Sequence, residues 1–283
     1  MTTSGVFAKI YLAVEADETV LPALPEIIIS LRKNLNDPNC TIKIAADVLK
    51  SDPGLAAYIM RISNSARYMF GSPPRDLEAA VMRMGLVTTA GLATAHATRA
   101  MFHTKIPKIR KLMIDSYHNA TRLSILCYLL ADRLEGFDAD EAMLAGLLQD
   151  IAIPPLLTKL AERPEIFNDF VRRNQCIDEL APKVNALIIK HWGFDDEFIK
   201  VMRARKQWQR DEQATLEMSD IVLIARWYSL MGTAEFSQCP TFEQIPALQK
   251  LHASELTADH SIKLLEESIQ QIIDLENTLN AAA

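Results

Sequence analysis

Few residues of this chain have the type and spacing for chemistry. Asp150 ends the apolar run Gly146-Leu147-Leu148-Gln149-Asp150-Ile151. A carboxylate beside an apolar helix face needs a partner, because an unpaired buried charge takes up a proton or opens the structure. His191 precedes Trp192 and Gly193. It could ligate or stack, yet a histidine in the last turn of a helix also interacts favourably with the terminal carbonyls. His96 and His103 lie two helical turns apart with no carboxylate or cysteine beside them in sequence, which favours packing or surface roles.

Lys200, Arg203, Lys206 and Arg210 fall at helical spacing. Such a basic stripe either faces solvent or holds a phosphate or an acidic partner. Ser63-Asn64-Ser65 offers hydroxyls without a local histidine or acid to activate them, and suits the tying-off of a helix end by local hydrogen bonds. The four cysteines, Cys40, Cys127, Cys176 and Cys239, form no C-x-x-C. Neither a zinc knuckle nor a disulfide framework is expected, and a reducing cytoplasm fits. Gly-rich phosphate loops, H-E-x-x-H and G-x-S-x-G are absent.

The segments that must position these residues have helical period almost throughout. With 283 residues, 49% of them hydrophobic, the chain can bury a substantial core in one large domain or two smaller ones. A formal charge of −6 and a pI near 5.6 disfavour a protein that coats nucleic acid, which needs a broad Lys/Arg surface, so partners are expected to be proteins. The N-terminus has no basic region followed by an apolar core and cleavage site, and its stretch 6–14 is short and interrupted by Lys9. The longest apolar run, 123–131, falls far short of the roughly 20 residues that span a bilayer. No membrane segment is expected.

Leu24, Ile27, Ile28 and Leu31 form an apolar stripe that Asn36-Asp37-Pro38-Asn39 ends. Thr41 is a natural N-cap. Ser51-Asp52-Pro53 stops that helix and starts a third, with Asp52 capping and Pro53 in the first turn. A short helix over 77–84 ends at Gly85, which suits the left-handed C-terminal conformation, and 86–102 is long and mostly apolar. The basic, proline-bearing stretch 105–111 has the composition of a hinge and divides the chain into lobes 1–104 and 105–283. Further helices are expected over 114–134, 140–150, 166–174, 178–192, 195–209, 216–230 and 260–279. Pro154-Pro155 should force a turn, and 232–252 should be a long loop with short helical turns.

Several motifs recur in a telling order: Leu21-Pro22-Ala23-Leu24-Pro25, Ser51-Asp52-Pro53-Gly54-Leu55, Asn64-Ser65-Ala66, and the short helix with Met84-Gly85. Ala145-Gly146-Leu147-Leu148-Gln149-Asp150-Ile151 and His191-Trp192-Gly193-Phe194 follow. Over about residues 21–230 the chain thereby resembles the HD-related output domain (HDOD) family, bacterial signalling proteins whose second half is similar to a degenerate HD phosphohydrolase. The resemblance implies an all-α, two-lobed protein, an N-terminal helical bundle packed on an HD-like helical core.

It also implies a comparison of ligands. An active HD site uses an upstream histidine, the His-Asp pair, further histidines on later helices and a final aspartate, because a divalent cation needs several converging nitrogen and oxygen ligands. By resemblance His118 matches the first histidine and Asp150 the aspartate of the doublet. Gln149 replaces the doublet histidine, and Ala181 stands about where a later histidine would. Arg205 and Lys206 occupy the position of a later histidine pair, and Arg226 sits near the final aspartate. One imidazole and one carboxylate do not compete with the hydration shell of a cation, and desolvated cations nearby raise the cost by several kcal/mol. The site is expected to be vestigial, with at least one of Arg205, Lys206 and Arg226 approaching Asp150 in the cation's place. Asp52, Pro53, Asn64, Ser65, Gly85, Trp192 and Gly193 are expected to be structural.

The expected function is a non-catalytic regulatory module in bacterial signal transduction, cytoplasmic, without metal or cofactor. It would bind a protein partner through a helical surface or the groove between lobes. One alternative is a metal-dependent phosphohydrolase acting on a nucleotide or phosphoester through His118 and Asp150. Another is a nucleotide-binding sensor in which Arg205 and Lys206 hold phosphate without hydrolysis. No receiver, kinase or cyclase segment identifies a pathway.

Overall fold

A computed structural model describes residues 24–35, 40–65, 68 and 71–252, together with positions 8, 11, 12 and 16. The opening motif at 21–23, Ala66, most of the stretch 6–14 and the helix expected over 260–279 lie outside the described residues. Among the described residues every regular element is helical, and the fold is all-α. The chain parts into two compact units between Ala100 and Met101.

The first unit is built from α1 (Glu26–Leu35), α2 (Ile42–Lys50), α3 (Pro53–Ser63), α4 (Leu77–Met84) and α5 (Leu86–Arg99). Local chemistry sets its punctuation. Thr41 caps α2 by accepting from the Ile44 N–H, and Asp52 caps α3 by accepting from Gly54 and Leu55 ahead of Pro53. Asn64 and Ser63 close α3 by donating to the Met60 carbonyl at 2.7 and 2.8 Å, and the Ser65 N–H bonds Ile62. Gly85 departs from the expected cap. Its φ is +85° but its ψ is 159°, an extended conformation open essentially to glycine, so it redirects the chain straight into α5. Ile28, Leu31, Leu49, Ile59 and Val81 fill the core. His96 stacks on Tyr58 with ring centroids 4.6 Å apart, whereas His103 is exposed beyond the end of α5; the two do not share a helical face.

The second unit opens with α6 (Pro107–Ala131), a 25-residue helix. Most of the stretch 105–111 is therefore the start of this helix. Pro107 occupies the first turn, where its missing N–H has no intrahelical acceptor to lose, and the helix runs on through Lys111. Lys108 fastens its start by donating to the Ala161 carbonyl. Then come α7 (Ala139–Leu148), α8 (Ile153–Ala161), α9 (Pro164–Phe167), α10 (Phe170–His191), α11 (Asp196–Arg203), α12 (Met218–Leu230) and α13 (Pro246–His252), with 3-10 turns at Ala234–Gln238 and Phe242–Gln244.

Three expectations are corrected here. Pro154 and Pro155 do not force a turn, because they lie in the first turn of α8; the chain turns before them, over 149–152. The helices expected over 166–174 and 178–192 are the short α9 and the single long α10, which continues through Pro182. Cys176, Leu180, Ala181, Val184 and Ile188 bury one unbroken face of α10, and that packing outweighs the hydrogen bond Pro182 removes. The helix expected over 195–209 stops at Arg203.

α7 packs on α6, and α12 covers α6 as well. Gly146 sits at the α6–α7 contact: a Cβ there would lie 2.6 Å from Cys127 Sγ and 2.9 Å from Ser124 Cα, so only glycine allows this approach. The stretch Ala139–Ala161 has the length and hydropathy of a membrane span, but it is broken between α7 and α8 and 89% of its most apolar window is buried within the protein. At the end of α10, Gly193 with φ +72° lets Phe194 N–H bond Ile189 and Gly193 N–H bond Lys190, with Trp192 buried beneath.

Candidate functional site

The turn between α7 and α8 delivers Gln149 and Asp150 into the centre of the second unit, where both are buried. Asp150 is met from two sides. Arg205, just after α11, donates its Nε to Oδ1 at 2.7 Å, and Arg226 from α12 places Nη2 3.0 Å from Oδ2 as an ion pair that is not aligned as a hydrogen bond. Burial alone would raise the Asp150 carboxyl, but the charges of Arg226 and Arg205 outweigh it and hold the group well below the usual carboxylate range.

Gln149 is fully committed. Its Oε1 accepts from Arg226 Nε at 2.6 Å, and its Nε2 donates to the Val201 carbonyl at 3.2 Å. Asn185 of α10 then ties the turn down: its Oδ1 accepts from Ala152 N–H at 2.7 Å, and its Nδ2 donates to the Gln149 carbonyl. The glutamine is thus part of the cation-for-metal exchange rather than a neutral gap.

A second layer lies toward solvent. Asp178 accepts from Arg205 Nη1 at 2.8 Å and from Lys206 Nζ at 2.7 Å, and Lys206 also reaches Glu235. Lys206 has φ 58°, the left-handed region that costs a side-chain-bearing residue about 1–2 kcal/mol. That turn, coming after α11 has ended, sends Arg205 to Asp150 and Lys206 to the rim.

The expected residues separate accordingly. Gln149, Asp150, Arg205, Lys206 and Arg226 converge. His118 does not: it is exposed on α6 and absent from the lining of the cavity at Asp150, toward which Ser116, Asn119 and Arg122 are turned instead. Ala181 is buried on α10, between Asp178 and Asn185, which supply the polar contacts. The basic stripe dissolves, since Lys200 pairs with Glu197 on the surface, Arg203 is exposed, Lys206 belongs to the site and Arg210 is buried. Arg210 donates to Asp220 at 2.7 Å and pairs with Glu217 and Glu212, while Lys250 reaches Asp220 at 3.3 Å.

Asp178, Asn185 and Glu235 were not singled out in the sequence. Asp178 and Asn185 lie seven residues apart, two turns along one helix face, which is the signal that could have found them.

Motif order, fold and this doublet now meet an independent comparison: a family model for the HDOD domain matches residues 21–208. The chain belongs to the HDOD domain family. Solved structures agree on the fold of this HDOD protein. One, the "Putative metal-dependent phosphohydrolase" of Shewanella amazonensis SB2B, superposes with TM-score 0.78 at 20% identity over 99% of this chain and 98% of its own. An HDOD domain protein with unknown function from Geobacter sulfurreducens gives 0.69 at 18% identity over 98% and 99%. A "Putative signal transduction protein" of Marinobacter aquaeolei VT8 gives 0.60 at 20% identity, over 92% of this chain and 60% of that one. A search of curated proteins returns no match.

The donor set at Asp150 does not fit the divalent cation of an HD enzyme. Both carboxylate oxygens face guanidinium groups, the Gln149 amide is spent, and among the described residues no three His, Cys, Asp or Glu side chains converge.

Because the folded Asp150 carboxyl is depressed, its contribution to stability is present above the unfolded value, about pH 4, and is lost as pH falls through the lower folded value. Asp178 shifts the same way: burial raises it, and Arg205 and Lys206 more than reverse this. Urea unfolding of the wild type and of Asp150→Asn should therefore differ most near neutral pH, and the difference should shrink progressively as pH falls below ~4. A difference that stays constant with pH would contradict the assignment.

Proposed function

We propose that this HDOD protein is a non-catalytic regulatory module that works by binding a protein partner. The observation that supports it most is the buried Arg205–Asp150–Arg226 arrangement, which keeps the skeleton of a hydrolase site while occupying its carboxylate with fixed cations. The family membership and the signalling name of the Marinobacter neighbour support the same reading.

For the docking surface we favour the groove between α10 and α11. It encloses about 940 Å³ over an apolar floor of Pro182, Ala186, Leu187 and Ile199, and Tyr11 also lines it. Lys183, Lys190, Lys200 and Arg203 stand along it against Glu179 and Asp196. An amphipathic helix with an apolar face and an acidic flank matches that surface.

Affinity purification from the native cell with quantitative mass spectrometry tests the reading. The wild type should retain a partner that a Lys183→Glu/Lys190→Glu variant loses by at least about tenfold, since reversing charge at an interface costs several kcal/mol. A partner set unchanged by that variant would move the interface elsewhere, and the absence of any enriched protein would count against the module itself.

A further inference from the structure

Beside Asp150 lies a cavity of about 180 Å³ whose wall carries four cations, Arg122, Arg205, Lys206 and Arg226, against two carboxylates, Asp150 and Glu235. The balance of free donors matters more than the count. Asp150 already has both oxygens against guanidinium groups, and Arg205 divides itself between Asp150 and Asp178. Arg122 has no ion-pair or hydrogen-bond partner among the described residues. Arg226 is 4% exposed, and its Nη2 is buried without an aligned acceptor. Lys206 spends two of its three donors, on Asp178 and Glu235, and keeps one. Three cationic groups from α6, from the turn after α11 and from α12 therefore converge on one space with donors to spare. Asn119 and Ser116, one and two turns before Arg122 on the same face of α6, add neutral ones.

Cationic donors outnumber the carboxylates in this wall, four groups to two. A group offering several oxygens and negative charge satisfies guanidinium and ammonium donors best. Size limits the choice. Whole small molecules occupy pockets of about 300–1,000 Å³, whereas 180 Å³ is room for roughly six waters at ~30 Å³ each, enough for a tetrahedral oxyanion but not for a complete nucleotide.

We propose that this cavity binds a phosphoryl oxyanion, either free phosphate or the monoester end of a larger ligand, with Arg122, Lys206 and Arg226 as its cationic contacts. Bound there, the anion adds a shared contact to three elements of the second unit that already pack on one another. Ligand occupancy is thereby coupled to the position of the α11–α12 connection. The site shares no lining residue with the α10–α11 groove, and the two are tested by different measurements, so failure of one reading is distinguishable from failure of the other.

Isothermal titration of the full chain with inorganic phosphate, and separately with O-phosphoserine, at constant ionic strength set by sodium chloride, tests this. A saturable one-to-one isotherm with either probe supports the site, and the tighter of the two identifies the source. Arg122 is exposed and unpaired among the described residues, so Arg122→Ala should keep the wild-type unfolding midpoint and weaken binding at least about tenfold, the loss of one charge-assisted contact. Lys206→Met should weaken it as well. No saturable binding with either probe, or binding indifferent to Arg122→Ala, would overturn the proposal and leave the cavity to water.

Discussion

Changing Asp150 to leucine should cost this HDOD protein about 3–5 kcal/mol of folding stability, and adding Arg226→Met should give part of that back. Among the described residues Asp150 is the one carboxylate paired with Arg226, and Arg226 is buried. Without Asp150 a guanidinium that cannot deprotonate is left in the interior with only the Gln149 amide as an acceptor. Arg205 suffers less, because Asp178 still accepts from it at 2.8 Å. The partners are therefore unequal. Arg226→Met alone leaves Asp150 paired with Arg205 and should cost less, about 1–3 kcal/mol, while the double variant should be more stable than Asp150→Leu. A coupling energy of at least about 2 kcal/mol in urea unfolding is expected. Additive effects would mean that the two groups do not share a buried pair.

The second large effect is expected at Asn185, where leucine should cost about 2–5 kcal/mol. The side chain is fully buried and satisfies two main-chain groups of the α7–α8 turn at once, the Ala152 N–H and the Gln149 carbonyl. A leucine of similar size fills the space and leaves both groups buried and unpaired, at about 1–3 kcal/mol each. Since this turn holds Gln149 and Asp150, the variant should also broaden or shift NMR signals from the Arg226 guanidinium, which a merely destabilised core far from the site would leave alone. A loss below about 1 kcal/mol would show that water or a local rearrangement replaces Asn185.

How much of this was legible in the sequence depends on how local each cause is. Caps are local: Thr41 and Asp52 announce α2 and α3 because a short polar side chain ahead of an apolar run has a backbone N–H to accept from. Asp150 was legible as a carboxylate needing a partner, and the set Arg205, Lys206 and Arg226 contained the two cations that meet it. What stayed hidden was decided by tertiary packing. Pro107 suggested a hinge, yet it sits in the first turn of α6, where helices tolerate proline, and the gap expected between 174 and 178 is bridged by one helix whose buried face runs on unbroken. The stripe from Lys200 to Arg210 required a helix that ends at Arg203, where the chain turns left-handed at Lys206 to reach two different carboxylates. His118 had the right type and roughly the right position, but helical phase decides which side chain enters a cavity, and on α6 that phase belongs to Ser116, Asn119 and Arg122.

The central claim is that fixed guanidinium groups hold the position a metal would take at Asp150. Loading the purified protein with manganese, iron, nickel or zinc, desalting it and counting metal by mass spectrometry tests this most directly. Well under one metal per chain is expected, equal in the wild type and in His118→Ala, because Asp150 has no free oxygen to offer and His118 lies outside the cavity. One tightly held metal per chain that disappears in His118→Ala would contradict the account and restore the hydrolase reading.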